Sequence, residues 1–130
     1  MNDPNLIADF LRGDGFAVVG ASSNRAKFGN QVLRCYQRNG RTAFPVNPKE
    51  SEIEGVPAFA SLADISEPVH GVSIITPPAV TETIVAQAVE LGIEFVWMQP
   101  GAESEAAIEI CEQNGVKLLA CGPCVLVELR

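Results

Sequence analysis

Phe16-Ala17-Val18-Val19 ends at Gly20, and the chain then runs through Ala21-Ser22-Ser23, Arg25 and Lys27 to Phe28 and Gly29. Apolar residues return there at helical spacing, as Phe28, Val32, Leu33 and Tyr36. The short apolar run reads as a buried parallel strand, the small residues as a tight turn, and the periodic segment as a helix. Strand, glycine turn and helix make the front half of a nucleotide-binding βαβ unit. The free backbone N–H groups and the positive dipole end of such a helix form an anion site. A chain built on this unit is committed to a parallel sheet with helices on its faces.

The remaining segments repeat the alternation. Residues 4–12 form a leading helix with Asp3 as N-cap, Pro4 in the first turn, and Leu6, Ile7, Phe10 and Leu11 as its apolar stripe. The helix after the cradle stops at Gly40. A second strand covers Thr42-Ala43-Phe44-Pro45-Val46, although Pro45 deletes a ladder donor. Residues 50–55 read as an acidic loop, Val56-Pro57-Ala58-Phe59 as a third strand and Ser61–Asp64 as a helical turn. Val72–Ile75 is the next strand, followed by a helix from Ala79 to Leu91 with Val80, Ile84, Ala88 and Leu91 as its inner face. Phe95–Met98, a helix over Glu103–Asn114 and Lys117–Ala120 complete the pattern, and Val125-Leu126-Val127 reads as a strand or extended tail. The expected fold is a single Rossmann-like α/β domain over residues 1–130, a three-layer, doubly wound parallel sheet of about six strands in the order 3-2-1-4-5-6.

Composition narrows the partners. With 130 residues, 47% hydrophobic and 19% charged, there is room for one globular core. No apolar run reaches the ~18–20 residues that span a bilayer, and the N-terminus lacks the basic and apolar regions of a signal peptide, so a cytoplasmic protein without a membrane partner is expected. The net charge of −7 argues against nucleic acid as a partner. That charge is unevenly spread. Between Gly15 and Lys49 there is no Asp or Glu, while Arg25, Lys27, Arg34, Arg38, Arg41 and Lys49 are basic. Arg34, Arg38 and Arg41 read as the solvated face of a helix, whereas Arg25, Lys27 and Lys49 fall at strand ends, where ligands collect.

In a doubly wound sheet the ligand lies beyond the carboxyl ends of the strands, where the strand order reverses. Four segments meet there: Gly20–Gly29, with Phe28 and Gly29 at its helix end, Asn47-Pro48-Lys49, Thr76-Pro77-Pro78 and Gln99-Pro100-Gly101. Gly20 is placed among them for close approach of a ligand to the backbone. The dinucleotide fingerprint G-x-G-x-x-G is absent. An NAD site expects an acidic residue near the end of the second strand for the ribose 2′-hydroxyl, and this chain has Lys49. A lysine there attracts an additional ribose phosphate, so coenzyme A (CoA) or NADP is favoured over NAD.

Val18-Val19-Gly20-Ala21-Ser22, the Pro45-Val46-Asn47-Pro48 turn, Thr76-Pro77-Pro78 and Val96-Trp97-Met98-Gln99-Pro100-Gly101 resemble the small stand-alone CoA-binding domain proteins. They are also similar to the N-terminal domain of the succinyl-CoA synthetase α-subunit. The resemblance covers the whole chain. It implies that Gly20, Ala21, Ser22, Ser23, Arg25 and Lys27 surround phosphates, and that Asn47, Pro48 and Lys49 take the adenosine and its 3′-phosphate. Ile75, Thr76, Pro77 and Pro78 would line the adenine or pyrophosphate side, and Gln99, Pro100 and Gly101 the pantetheine path. Many stand-alone relatives carry a basic residue and a Cys-Pro near the last strand; here Cys121-Gly122-Pro123-Cys124-Val125 matches only at Cys124.

The expected function is binding of CoA or acyl-CoA as a carrier, sensor or regulatory partner without catalysis, possible as a homodimer. Two alternatives stay open: an NADP-dependent oxidoreductase or its nucleotide-binding subunit, and a thiol redox protein using Cys121 and Cys124. His70, the single histidine, precedes the fourth strand at the end of the sheet away from the ligand. The sequence carries no Ser/His/Asp group or paired carboxylates, and its four cysteines contain one C-x-x-C pair, short of a metal site.

Overall fold

The computed structural model describes residues 2–129. Its centre is a five-stranded parallel sheet made from β1 (Phe16–Val19), β2 (Ala43–Val46), β5 (Gly71–Ile74), β6 (Phe95–Met98) and β7 (Lys117–Leu119). The order across the sheet is β2-β1-β5-β6-β7, so the order reverses between β1 and β5. Every residue of β1, β2, β5 and β6 is buried, because helices cover both faces.

Side chains alternate along the strands and divide the core in two. Phe16, Val18, Trp97 and Leu119 pack with Phe10, Val32, Leu33 and Tyr36 under helices α1 (Pro4–Arg12) and α2 (Phe28–Arg38). Ala17, Val19, Val72, Ile74, Val96 and Met98 pack on the other face with Val85, Ala88, Ala107 and Cys111 of α3 (Pro78–Glu90) and α4 (Glu105–Gln113). The three-layer Rossmann-like arrangement expected from the alternation is the one observed. On the α2 side, the fully buried Tyr36 hydroxyl meets Ser73 Oγ at 2.6 Å, so each satisfies the other's polar group inside the core. The leading helix also forms as its sequence dictates: Asp3 accepts a hydrogen bond from the Asn5 N–H at 2.7 Å, and Phe10 stacks on Phe16 with ring centroids 5.3 Å apart.

Pro45 is tolerated because β2 is the edge of the sheet. Its position pairs with Val18 on one side, and on the other its carbonyl accepts the Phe59 N–H at 2.9 Å. The expected third strand is reduced to that neighbourhood, a single parallel bridge between Val46 and Phe59. The residues before it fold back instead. β3 (Glu52–Ile53) and β4 (Val56–Pro57) form an antiparallel hairpin closed by Glu54 and Gly55, both with positive φ. A two-residue loop with both φ angles positive matches strand twist, and this segment follows that rule rather than extending the main sheet.

Two further expectations are corrected. Val125–Glu128 is a short helix, α5, because Val125 N–H is held by Gln99 and the chain turns back over α2. The inner face of α3 is Thr81, Val85 and Ala88, whereas Val80 and Leu91 are 45% and 47% exposed. The helix is rotated from the expected setting so that Val80 turns toward the ends of the strands, while Ile84 stays half-buried against the core as expected.

Candidate functional site

The loops after β1, β2 and β5 meet above the carboxyl edge of the sheet around a cavity of about 370 Å³. A volume of this size suits a small-molecule ligand. Gly20, Ala21, Ser22 and Lys27 come from the first loop, Asn47, Pro48 and Lys49 from the second, and Thr76 from the third. Ile75, Pro77, Pro100 and Gly101 line an adjoining depression of about 280 Å³, with Thr76 common to both. The crevice predicted from strand order therefore joins three of the four expected segments directly, and the fourth at its far end.

Local hydrogen bonds fix the cradle. Gly20 N–H donates to the Val46 carbonyl at 3.2 Å, and Ser22 Oγ accepts from Asn24 N–H at 3.1 Å. Asn24 Oδ1 in turn accepts from Ala26 N–H at 3.0 Å. Asn30, fully buried in the first turn of α2, donates to the Ser22 carbonyl at 2.8 Å. Asn47 plays the same part from the second loop: its Nδ2 donates to the Ala21 carbonyl at 2.9 Å, and its Oδ1 accepts from Lys49 N–H at 2.8 Å. No side chain caps the start of α2, whose first N–H groups carry the positive end of the helix dipole.

The charges sort into paired and unpaired sets. Arg25 is engaged by Glu54 through two hydrogen bonds of 3.1 and 3.2 Å, and Glu54 also accepts from Asn30 at 2.9 Å. The Arg25 and Asn30 hydrogen bonds hold the Glu54 carboxyl below the usual carboxylate range. Arg34 donates to Asn30 Oδ1 at 2.7 Å, so it buttresses the cradle where simple solvation was expected. Lys27 and Lys49 both line the cavity and have no acidic partner among the described residues.

Several expected site residues lie elsewhere. Ser23 is exposed with its N–H directed to Glu50, Phe28 is half-buried against the α2-side core, and Pro78 begins α3. Gly29 is buried beneath the turn, where a Cβ would fall 2.0 Å from the Gly20 carbonyl oxygen. Gly20 itself has φ +97°, and a Cβ on it would fall 1.9 Å from the Ile75 carbonyl oxygen. Both glycines are thus required by packing of backbone on backbone, and close ligand approach is not the first reason for Gly20. Gln99 is fully buried, with Oε1 accepting from Val125 N–H at 2.9 Å and Nε2 unpartnered. Together with the Trp97 Nε1 hydrogen bond to the Pro123 carbonyl at 2.9 Å, it anchors the Cys121–Cys124 segment.

The cavity also has a wall that sequence reasoning missed: Val19, Val46, Ala60, Ser61, Val80, Ile84 and Gln87. Val80, Ile84 and Gln87 recur at i, i+4 and i+7 of α3, one stripe down the helix. A glutamine in line with two aliphatic residues was the available signal that this stripe faces something other than core. Cys35 and Cys111 are buried free thiols, and burial pushes the Cys111 thiol up to about 11. Cys124 precedes a helix of only four residues, unlike the long helix that activates a thioredoxin-type thiol. His70 Nε2 donates to the Asp9 carbonyl at 3.1 Å and its ring stacks on Phe95 at 4.6 Å, at the opposite end of the sheet. No metal-holding group of His, Cys, Asp or Glu occurs among the described residues, and no helix there is long and apolar enough to cross a membrane.

Comparison with known proteins agrees with the geometry. The chain is 30% identical over 113 residues to an ADP-forming acetate–CoA ligase from Archaeoglobus fulgidus, covering 79% of this chain and 16% of that protein. It therefore spans about a sixth of that curated relative's length. A conserved hypothetical protein from Pyrococcus furiosus superposes with a TM-score of 0.85 at 38% identity, covering 89% of this chain and 99% of the other. A hypothetical protein from Pyrococcus horikoshii superposes with a TM-score of 0.92 at 27% identity, covering 98% of this chain and 89% of the other. The model of one family, the CoA binding domain, matches residues 14–130, and the chain belongs to that family.

Proposed function

We propose that this protein binds CoA or an acyl-CoA in the crevice above β1, β2 and β5, as a carrier or sensor without a reaction of its own. The observation that carries the reading is the pair of unpartnered lysines, Lys27 and Lys49, on one cavity whose floor is a glycine turn. A nucleotide with phosphates at two places on its skeleton satisfies both. Lys27 and the backbone amides of Ala21 and Ser22 in the glycine turn take the pyrophosphate. Lys49 takes the ribose 3′-phosphate, and the apolar stripe of α3 covers the base. Thr76 leads into the depression between Pro77 and Pro100, which gives the pantetheine arm its path toward Gly101.

The cavity lining supplies backbone amides, hydroxyls, amides and ammonium groups, and no carboxylate, imidazole or thiol. That is the chemistry of holding a polyphosphate rather than of transferring a proton. Family membership and the similarity to a CoA ligase support the same ligand. Calorimetry with CoA, dephospho-CoA, NADP and NAD at fixed salt tests it. Micromolar CoA binding, weaker for dephospho-CoA and absent for NAD, is the expected result. Binding of NADP alone overturns the reading in favour of a reductase subunit.

A further inference from the structure

Gln87 sits on the third turn of α3, in line with Val80 and Ile84, and all three border the cavity. Its Oε1 is buried and has no hydrogen-bond partner. Leaving a buried carbonyl oxygen without a donor is unfavourable, and such groups in folded proteins are normally satisfied. The terminal torsion of a glutamine is soft, so the amide can turn its oxygen to a donor arriving in the cavity without moving the helix. The walls beside it, Val19, Val46, Val80 and Ile84, are aliphatic and suit the face of a flat ring. An aliphatic slot closed at one edge by an unsatisfied acceptor is the complement of a purine that carries an exocyclic amino group on its edge.

We infer that Gln87 is a specificity-determining residue for adenine, accepting a hydrogen bond from the 6-amino group of the base. The inference rests on the reading of this cavity as the CoA site and adds to it the residue that reads the base. A 6-oxo purine offers an acceptor where the amino group was, so it gives Oε1 no donor and is met only if the amide turns over to present Nε2. Lys49 and Lys27 contact phosphates and are indifferent to that change. Base selection and phosphate binding are therefore separable in the same cavity.

The test is binding of CoA and its 6-oxo (hypoxanthine) analogue to the wild-type protein and to Gln87→Met, which keeps length and helix preference but removes the acceptor. The wild type is expected to prefer CoA by about tenfold, the scale of one buried hydrogen bond. Gln87→Met is expected to bring the two ligands to within about twofold, mostly by weakening CoA. A wild type that binds both equally overturns the inference, as does a Gln87→Met protein with the wild-type preference; in both cases CoA binding itself stands. A wild type that binds neither ligand overturns the CoA reading and this inference with it.

Discussion

Glu50 Oε2 accepts a hydrogen bond from the backbone N–H of Ser23 at 3.1 Å, so a carboxylate from the second loop occupies an amide of the phosphate cradle. The same oxygen takes Asn47 Nδ2 at 3.2 Å. The hydrogen bonding from Ser23 holds the Glu50 carboxyl below the usual carboxylate range. A bound phosphate competes for the Ser23 amide and is repelled by the charge beside it. Glu50→Gln keeps an acceptor for Ser23 but removes the charge, and is expected to tighten CoA about two- to fivefold at low salt. The gain shrinks as salt rises. Calorimetry at two salt concentrations checks this; weaker binding would mean that the carboxylate orders the loop rather than opposing the ligand.

Lys49 makes the complementary prediction. Its backbone N–H is fixed by Asn47 Oδ1 at 2.8 Å, while its ammonium group has no acidic partner among the described residues. If that group meets the ribose 3′-phosphate, Lys49→Ala weakens CoA about tenfold and leaves dephospho-CoA within about twofold, since a charge-assisted contact is worth roughly 1.5–3 kcal/mol. An equal loss for both ligands would place Lys49 elsewhere on the nucleotide.

Much of this site was legible before any coordinates, because parallel strands buried on both faces read as uninterrupted apolar runs. Phe16–Val19 and Phe95–Met98 are such runs, Gly71–Ile74 is interrupted only by Ser73, and strand order then brought Gly20–Ser22, Asn47–Lys49 and Thr76 to one edge. What the sequence concealed was set by tertiary packing. The rotation of α3 is one case: Thr81, with its hydroxyl 2.7 Å from Thr76 Oγ1, takes an inner position that hydropathy alone gave to Val80. The acidic segment 50–55 is another. Its Glu54-Gly55 turn makes a hairpin, and both Glu50 and Glu54 bend back onto the cradle, which a count of charges along the chain could not show.

The two glycines of the cradle belong to the fold before they belong to the ligand. With a Cβ at Gly20 landing 1.9 Å from a backbone oxygen of Ile75, and one at Gly29 landing 2.0 Å from the Gly20 oxygen, neither neighbour can yield by a side-chain rotation. Gly20→Ala and Gly29→Ala are each expected to cost about 3 kcal/mol or more, in the range of severe core substitutions. Gly40→Ala, at φ +70° with nothing within 4 Å of its Cβ, pays for the conformation alone, about 1 kcal/mol. Urea denaturation of the three variants checks the contrast. Wild-type stability in Gly20→Ala would return that residue to a role in ligand approach alone.

Asp14 provides a pH-dependent fastening at the other end of β1. Its Oδ1 accepts from Thr42 N–H at 2.7 Å and Gly15 N–H at 3.0 Å, tying the approach to β1 to the approach to β2. The Thr42 amide is the main reason its carboxyl titrates below the usual range. A carboxylate depressed in the folded state binds fewer protons there than in the unfolded chain, so stability rises with pH across that interval. The contribution is fully present above the ordinary carboxylate range and is lost as pH falls through the lower, folded value. Glu50 and Glu54 are shifted in the same direction and add to the slope. The wild-type Tm is therefore expected to fall steeply on acidification below about pH 4, where carboxylates titrate. Asp14→Asn, which keeps the acceptor and removes the titration, is expected to lower Tm at neutral pH and to approach the wild type at about pH 2–3. Parallel melting curves against pH would sink this assignment if the two proteins differed by the same amount throughout.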